Sequence, residues 1–453
     1  MIKRLALAVV LLAACGPGKP VLLYVPASIA LDPNAAPRKS ANIVSPSRTY
    51  WEAMLNLDTG YVRRQPVNET QHAFADALGL VMSGHHEDAA LAFDAVRFSS
   101  ADTLISAASR VLMTAMLQYQ DKWKLLAELD SMGRRNTASA ADKADVETWA
   151  TAFRKVPERE ITFPEQPVVL PLLLSASGAP MIPVTINGKE HAFWLDTGSS
   201  LSIVSSSVAA ECGMSPLISD TLEVATTTGR VDAQAGAISQ LRIGGLHVSN
   251  TTALIVADNR MSVRVSDGSG TGIPMISQIE GVIGYDIISR VDLRIDYVNR
   301  RVTIMKPETN PRLPRTGKNL FWVGTPIVRL VTSKGVPLHF NLDTGAQESY
   351  STDALLHKIR VRTLNGERRL VGGLAGLTVV RGRFVDEVHA TMGGQPLVLR
   401  KLLVFAPQVS SFVSLDGVLG SDVGRGGIVR IDATNGIFLL EPQTYDRGLR
   451  IKS

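Results

Sequence analysis

Hydrophobic and polar positions follow two different rhythms along the chain. From about residue 49 to 155 apolar residues recur at helical spacing: Ala73, Ala75, Leu78, Leu80 and Val81 fall near a 3.6-residue period, and Gly84 punctuates the run. Further helical stretches are expected over Ala89 to Phe98, Ala107 to Tyr119 and Trp123 to Met132, with His85-His86 at a solvent-facing helix start. Ser83 to Phe93 matches Leu117 to Ala127 loosely at an offset of 34, the period of tetratricopeptide repeats; a generic helical bundle fits the same pattern. Beyond about residue 160 the texture changes to Val-, Ile-, Leu- and Thr-rich runs broken by Gly, Asn and Pro, as expected of strands and turns.

The strand-rich region repeats itself. Ile186-Asn187-Gly188 precedes Phe193-Trp194-Leu195-Asp196-Thr197-Gly198, and Ser333-Lys334-Gly335 precedes Phe340-Asn341-Leu342-Asp343-Thr344-Gly345, every matched pair 147 apart. A second block recurs at an offset of 136. Gly281-Val282-Ile283-Gly284-Tyr285-Asp286 pairs with Gly417-Val418-Leu419-Gly420-Ser421-Asp422, and Arg294-Ile295-Asp296 with Arg430-Ile431-Asp432. The first copy therefore carries about eleven extra residues (147 − 136), most naturally placed at Ser266 to Gly272. Ordered blocks repeated in the same order are an internal duplication.

Composition alone places an Asp-Thr-Gly in roughly one chain in ten of this length, so a lone copy says little. Two copies in matching strand contexts point to a pair of carboxylates. Hydrolysing an amide without metal or covalent intermediate needs an activated water and a protonated carbonyl oxygen. Two carboxyls held close share one proton, so one acts as base and the other as acid. The repeated Asp286, Asp422, Asp296 and Asp432 are expected to hydrogen-bond structurally in turns.

The region from about 165 to 442 resembles the pepsin/retropepsin superfamily of aspartic peptidases in having Asp-Thr-Gly in each half, followed later by hydrophobic-hydrophobic-Gly. The resemblance implies a mainly β, bilobal fold of acid-protease-like β-barrel lobes with pseudo-twofold symmetry, here preceded by an all-α domain. It implies Asp196 and Asp343 as the catalytic pair, supported by Thr197, Gly198, Ser199, Thr344 and Gly345, with each Thr bonding to the opposite backbone. A hydroxyl at Ser199 is expected to bond the Asp196 carboxylate and favour its charged form, leaving the proton on Asp343. Substrate-covering hairpins are expected about thirty residues after each aspartate. The candidates are Thr228 and Gly229 in copy one, and Gly372, Gly373 and Gly376 in copy two, which resembles the glycine-rich flap of retroviral peptidases. Which of them closes is left open.

The N-terminus changes the picture of where such a chain works. Lys3 and Arg4 precede the apolar run Leu5 to Ala14, about half the length needed to span a bilayer, which reads as an export signal. Leu12-Ala13-Ala14-Cys15 resembles the lipobox of bacterial lipoproteins, implying lipidation at Cys15 and a cell-envelope location facing the periplasm, expected at the outer membrane. The expected organisation is a signal over 1–15, a flexible tether over 16–48, a helical domain over 49–157 and lobes over 160–308 and 318–445. Cys212 is expected to be a small buried hydrophobe.

The remaining composition mainly excludes. A formal charge of +5 over 453 residues with no dense Lys/Arg run names no nucleic-acid partner. No phosphate-cradling loop, nucleophile elbow or metal-ligand spacing is evident, so no cofactor or metal is expected. The expected partner is an extended peptide or protein substrate, bound by a chain acting as a monomer. A peptide-binding module without turnover remains open, as does a helical segment that docks a protein partner or covers the cleft.

Overall fold

The structure, a computed structural model, describes residues 29–30, 49–133, 144–266, 274–309, 317–366, 369–374, 376–407, 411–425 and 427–442. The helical layer comprises α1 (Tyr50–Leu55), α2 (Glu69–Met82), α3 (His86–Ser99), α4 (Thr103–Tyr119), α5 (Trp123–Gly133) and α6 (Ala144–Phe153). Local chemistry sets several starts. Thr49 caps α1, Asp102 caps α4, and Asn68 and Gln71 form a reciprocal capping box on α2. Phe74, Leu78 and Val81 of α2, Phe93 of α3 and Leu112 of α4 face inward into the layer's core. His85 is exposed as expected, but His86 is not solvent-facing: its ring packs 4.5 Å from that of Tyr119, and burial lowers its pKa to about 4.

Two closed six-stranded barrels follow. In lobe 1 the neighbours run Pro180–Ile186, Lys189–Leu195, Gly281–Ile283, Ser202–Ser205, Leu246–Val256 and Gly229–Ile243, and the last pairs back on the first. Lobe 2 repeats the circuit with Pro326–Thr332, Pro337–Leu342, Gly417–Leu419, Tyr350–Ser351, Gln395–Val404 and Arg383–Met392. Strict in–out alternation over Pro180–Ile186 accounts for the first barrel wall, whose buried Ile182, Val184 and Ile186 would face outward after a one-residue slip. Its hairpin turns at Asn187 (φ 46°) and Gly188 (φ 88°), the left-handed pair that matches strand twist.

A five-stranded sheet joins the lobes, with Asp292–Asp296 of lobe 1 antiparallel to Gly427–Asp432 of lobe 2. Arg294 sits opposite Arg430, its own counterpart in the duplication, so the pseudo-twofold axis passes between them. Arg430 Nε and Nη2 donate to the two carboxylate oxygens of Asp292 at 3.0 and 2.8 Å, a bidentate pair across the lobe boundary.

Within the expected tether, Ile29–Ala30 forms a short strand antiparallel to Leu399 and Val398 of lobe 2. Cys15, the expected lipidation site, and the rest of 1–48 lie outside the described residues. At the expected insertion copy one carries a hairpin, Ser262–Ser266 with Pro274–Gln278, with no counterpart among the described residues of copy two; beyond Ser266 the insertion lies outside the described residues. Among the described residues no helix is long and apolar enough to cross a membrane.

Candidate active site

Each aspartate is delivered by the same construction. The strand Lys189–Leu195 ends at Asp196 while pairing in parallel with Gly281–Ile283 (Leu195 opposite Ile283). Pro337–Leu342 ends at Asp343 while pairing in parallel with Gly417–Leu419 (Leu342 opposite Leu419). The first amide past each strand continues the ladder: Asp196 N donates to Ile283 O at 3.0 Å and Asp343 N to Leu419 O at 2.9 Å. The chain after each aspartate crosses over the following glycine. Tyr285 N donates to Ser199 O (2.7 Å) and Ser421 N to Ala346 O (2.8 Å). A methyl at Gly284 or Gly420 would strike the backbone of Leu201 or Glu348 at 2.5 or 2.6 Å, which explains the glycine in both hydrophobic-hydrophobic-Gly blocks.

Thr197 and Thr344 lock the two loops together. Thr197 N donates to Thr344 Oγ1 and Thr344 N to Thr197 Oγ1, each at 3.0 Å. The hydroxyls donate onward to Leu342 O (2.8 Å) and Leu195 O (2.7 Å). Both threonines are fully buried, so four bonds shielded from water tie one lobe to the other.

This grip brings Asp196 and Asp343 together. The carboxyl of Asp343 lies against Gly198 and that of Asp196 against Gly345; a built Cβ on either glycine would sit 2.6 or 2.5 Å from the opposite Cγ. The two carboxyls hydrogen-bond each other, and both aspartates remain partly accessible. Gly198 N donates to Asp196 Oδ1 (2.8 Å) and Ala346 N to Asp343 Oδ1 (2.9 Å). Burial raises both pKa values. Asp343 is raised further by the neighbouring Asp196 charge, while Asp196 is relieved by bonds from the Gly198, Gly345 and Ser199 amides and from Asp343 itself. The pair therefore keeps one shared proton above the ordinary carboxylate range.

The expected role of Ser199 is corrected. Its hydroxyl donates to Leu201 O at 2.7 Å, so the help that Ser199 gives Asp196 comes from its backbone N–H, not its side chain. The sequence reading also missed Ser202 and Ser349, which stand 147 apart and could have been found by the same offset. Ser202 Oγ donates to Asp286 (2.9 Å) and receives Gly284 N (3.1 Å). Ser349 Oγ donates to Asp422 (2.7 Å) and receives Gly420 N (3.0 Å). Asp286 and Asp422 thus brace the loops beside the dyad rather than capping turns. Asp296 and Asp432 end their strands and hold the turns that follow, accepting from the amides and side chains of Asn299 and Asn435.

Both candidate flaps are hairpins. Thr228 and Gly229 lie at the turn between Thr221–Thr226 and Gly229–Ile243. Gly372, Gly373 and Gly376 lie at the tip of Arg369–Gly373 with Gly376–Val380. The tips meet across the lobe boundary: a Cβ on Gly373 would be 2.6 Å from Thr228 Oγ1, a buried hydroxyl with no hydrogen-bond partner among the described residues. Outside this region, Cys212 is free and buried, its sulfur 3.5 Å from His191 Nε2, and burial raises its thiol pKa. Among the described residues there is no cluster of three or more His, Cys, Asp or Glu able to hold a metal.

Residues 182–290, most of lobe 1 with Asp196 and the Gly281–Asp286 block, match the family model of gag-polyprotein putative aspartyl proteases. Among solved structures, the chain is similar to an aspartic proteinase from Irpex lacteus (11% identity, TM-score 0.39), a likeness covering 62% of this chain and 99% of that one. It is also similar to a retropepsin-like aspartic protease from Rickettsia conorii (15% identity, TM-score 0.21), covering 32% of this chain and 91% of that one. No curated protein matches the chain.

Proposed function

We propose that this chain is an aspartic endopeptidase in which one polypeptide supplies both members of the catalytic pair. The observation that carries the reading is the meeting of Asp196 and Asp343 on loops cross-bonded through Thr197 and Thr344. A water held between the carboxyls loses a proton to the Asp196 carboxylate as its oxygen attacks the scissile carbonyl carbon. Asp343 gives its proton to the carbonyl oxygen, yielding a neutral tetrahedral diol. Collapse returns the diol proton to one carboxyl while the other protonates the departing amine. The two hairpins whose tips meet at Thr228 and Gly373 would part to admit an extended peptide and close over it. The Leu12 to Cys15 sequence supports attachment to the cell envelope through lipid on Cys15, checked by metabolic labelling with a tagged fatty acid and its loss in Cys15→Ala.

The reaction is tested by incubating the protein with a mixed peptide library in H2(18)O between pH 3 and 8. Internal cleavages carrying one heavy oxygen in each new carboxyl, absent in Asp196→Asn and Asp343→Asn, are the expected result. Peptides retained but uncut, or cleavage that survives either substitution, would overturn it.

A further inference from the structure

The two catalytic loops are near copies, and buried contacts tie the helical layer to the first of them. In lobe 1, Arg159 lies between α6 and the strand Glu160–Thr162, where the helical layer enters the barrel. Its Nη1 donates to the Asp286 backbone oxygen at 2.5 Å. Its Nη2 reaches Asp286 Oδ2 at 3.1 Å and Asp121 Oδ1, in the α4–α5 turn, at 3.2 Å. The Arg159 and Asp286 side chains are 5% and 4% exposed, so this bond is not a solvent-screened surface pair. Asp286 holds Ser202, which receives Gly284 N, and the neighbouring Tyr285 N holds Ser199 O. Arg159 is thereby two bonds from the loop that carries Asp196.

A second contact converges on the same loop. The Tyr285 ring stacks on Trp322 of lobe 2 (5.1 Å, 11°), and Trp322 stacks on Tyr119 of α4 (5.4 Å, 25°). Arg290 donates to Tyr119 O and lies over its ring at 4.9 Å. Copy two is built differently. Serine replaces tyrosine at Ser421, Asp422 Oδ2 is buried with no partner among the described residues, and the nearby Arg425 donates to Gln347 O instead.

We infer that Arg159 is a positioning residue through which the helical layer anchors the lobe-1 catalytic loop, making that layer a fixed part of the working site and not a removable cover. A segment meant to leave would not place its linking arginine in a buried ion pair beneath the catalytic floor. Removing that arginine leaves Asp286 beside Asp121 with Arg290 to offset the two carboxylates, and burial already raises Asp286 to about 6 with Arg159 present. The strain falls on the Asp286–Ser202–Gly284 brace and hence on the placement of Asp196.

The role in catalysis rests on the peptidase reading, so the test carries a readout independent of activity. Amide hydrogen exchange and steady-state cleavage are measured on the full protein, on Arg159→Ala and on Arg159→Lys. The expected result for Arg159→Ala is exchange faster by about tenfold in 196–202 and 283–288, with 343–349 and 419–424 unchanged. Its kcat should fall roughly 10- to 100-fold at nearly constant KM, since misplacement of the pair affects the chemical step. Arg159→Lys, which keeps the charge and one donor direction, should recover part of both. If Arg159→Ala does not fold, Arg159→Lys alone decides, by a smaller change confined to the same lobe-1 segments. Exchange that is unchanged, or raised equally in both lobes, overturns the anchor even if the parent protein cleaves peptides. A lobe-1-confined change in a protein that cleaves nothing keeps the anchor and sinks the peptidase reading.

Discussion

The two lobes agree around the paired aspartates and diverge away from them. At the axis the correspondence is bond for bond. Thr197 mirrors Thr344, Gly198 mirrors Gly345, and Ser202 with Asp286 mirrors Ser349 with Asp422. Away from it, lobe 1 carries the hairpin Ser262–Ser266 with Pro274–Gln278, which packs against the glycine-rich hairpin of lobe 2. Lobe 2 has only a short connection there, and that connection lies on the helices: Phe412 meets Phe74 at 6.0 Å, and Ser414 N donates to Leu55 O at 2.7 Å. The α6 helix packs on the lobe-1 hairpin that carries Thr228. Each flap candidate is thus buttressed by a different element. The lesson is that duplication preserved the chemistry, and that asymmetry arose from what was added around it.

If the axis is truly symmetric, matched substitutions there must cost the same. Gly198→Ala and Gly345→Ala each drive a methyl into the opposite carboxyl, and each should lower kcat by roughly 10²-fold while the protein stays folded. A large effect from one and none from the other would break the symmetry. Thr197→Val and Thr344→Val each leave a buried amide and a buried carbonyl unsatisfied. Both should destabilise by about 2–4 kcal/mol, read as equal losses in denaturant melts.

The third comparison should come out unequal. Burial raises both Asp286 and Asp422 to about 6, above their unfolded values, so the folded state binds the proton more tightly. That contribution is full at low pH and is lost as pH rises from about 4 through 6, up to about 3 kcal/mol per group. Asp422→Asn removes a carboxylate whose Oδ2 has no hydrogen-bond partner among the described residues and should flatten this decline, leaving the protein as stable or more so at pH 7.5. Asp286→Asn takes the charge away from Arg159 and should destabilise by about 1–2 kcal/mol at the same pH. Melting curves against pH separate the two outcomes.

Much of the central architecture was legible because duplication writes itself twice. The 147-residue offset marked both aspartates and, read one step further, would have marked Ser202 and Ser349. The helices announced themselves through periodicity, and α2, α3, α4 and α5 lie where apolar spacing put them. What escaped was tertiary. No local pattern tells that the Ser199 hydroxyl turns to Leu201 O, or that His86 packs against Tyr119, since both depend on which backbone or ring arrives there. Arg159 was invisible for the same reason. A clue did exist in the mismatch of Tyr285 with Ser421 inside an otherwise faithful repeat, where a large aromatic in one copy signals a neighbour that the other copy lacks.

The most direct test of a working pair assembled within one chain is a complementation assay. The parent protein, Asp196→Asn, Asp343→Asn and an equimolar mixture of the two variants are assayed on the same cleavable peptide. Cleavage by the parent, with silence from each variant and from the mixture, is the predicted result. Activity restored in the mixture would place the reacting carboxyls on different chains, and a parent that cleaves nothing would contradict hydrolysis by this pair altogether.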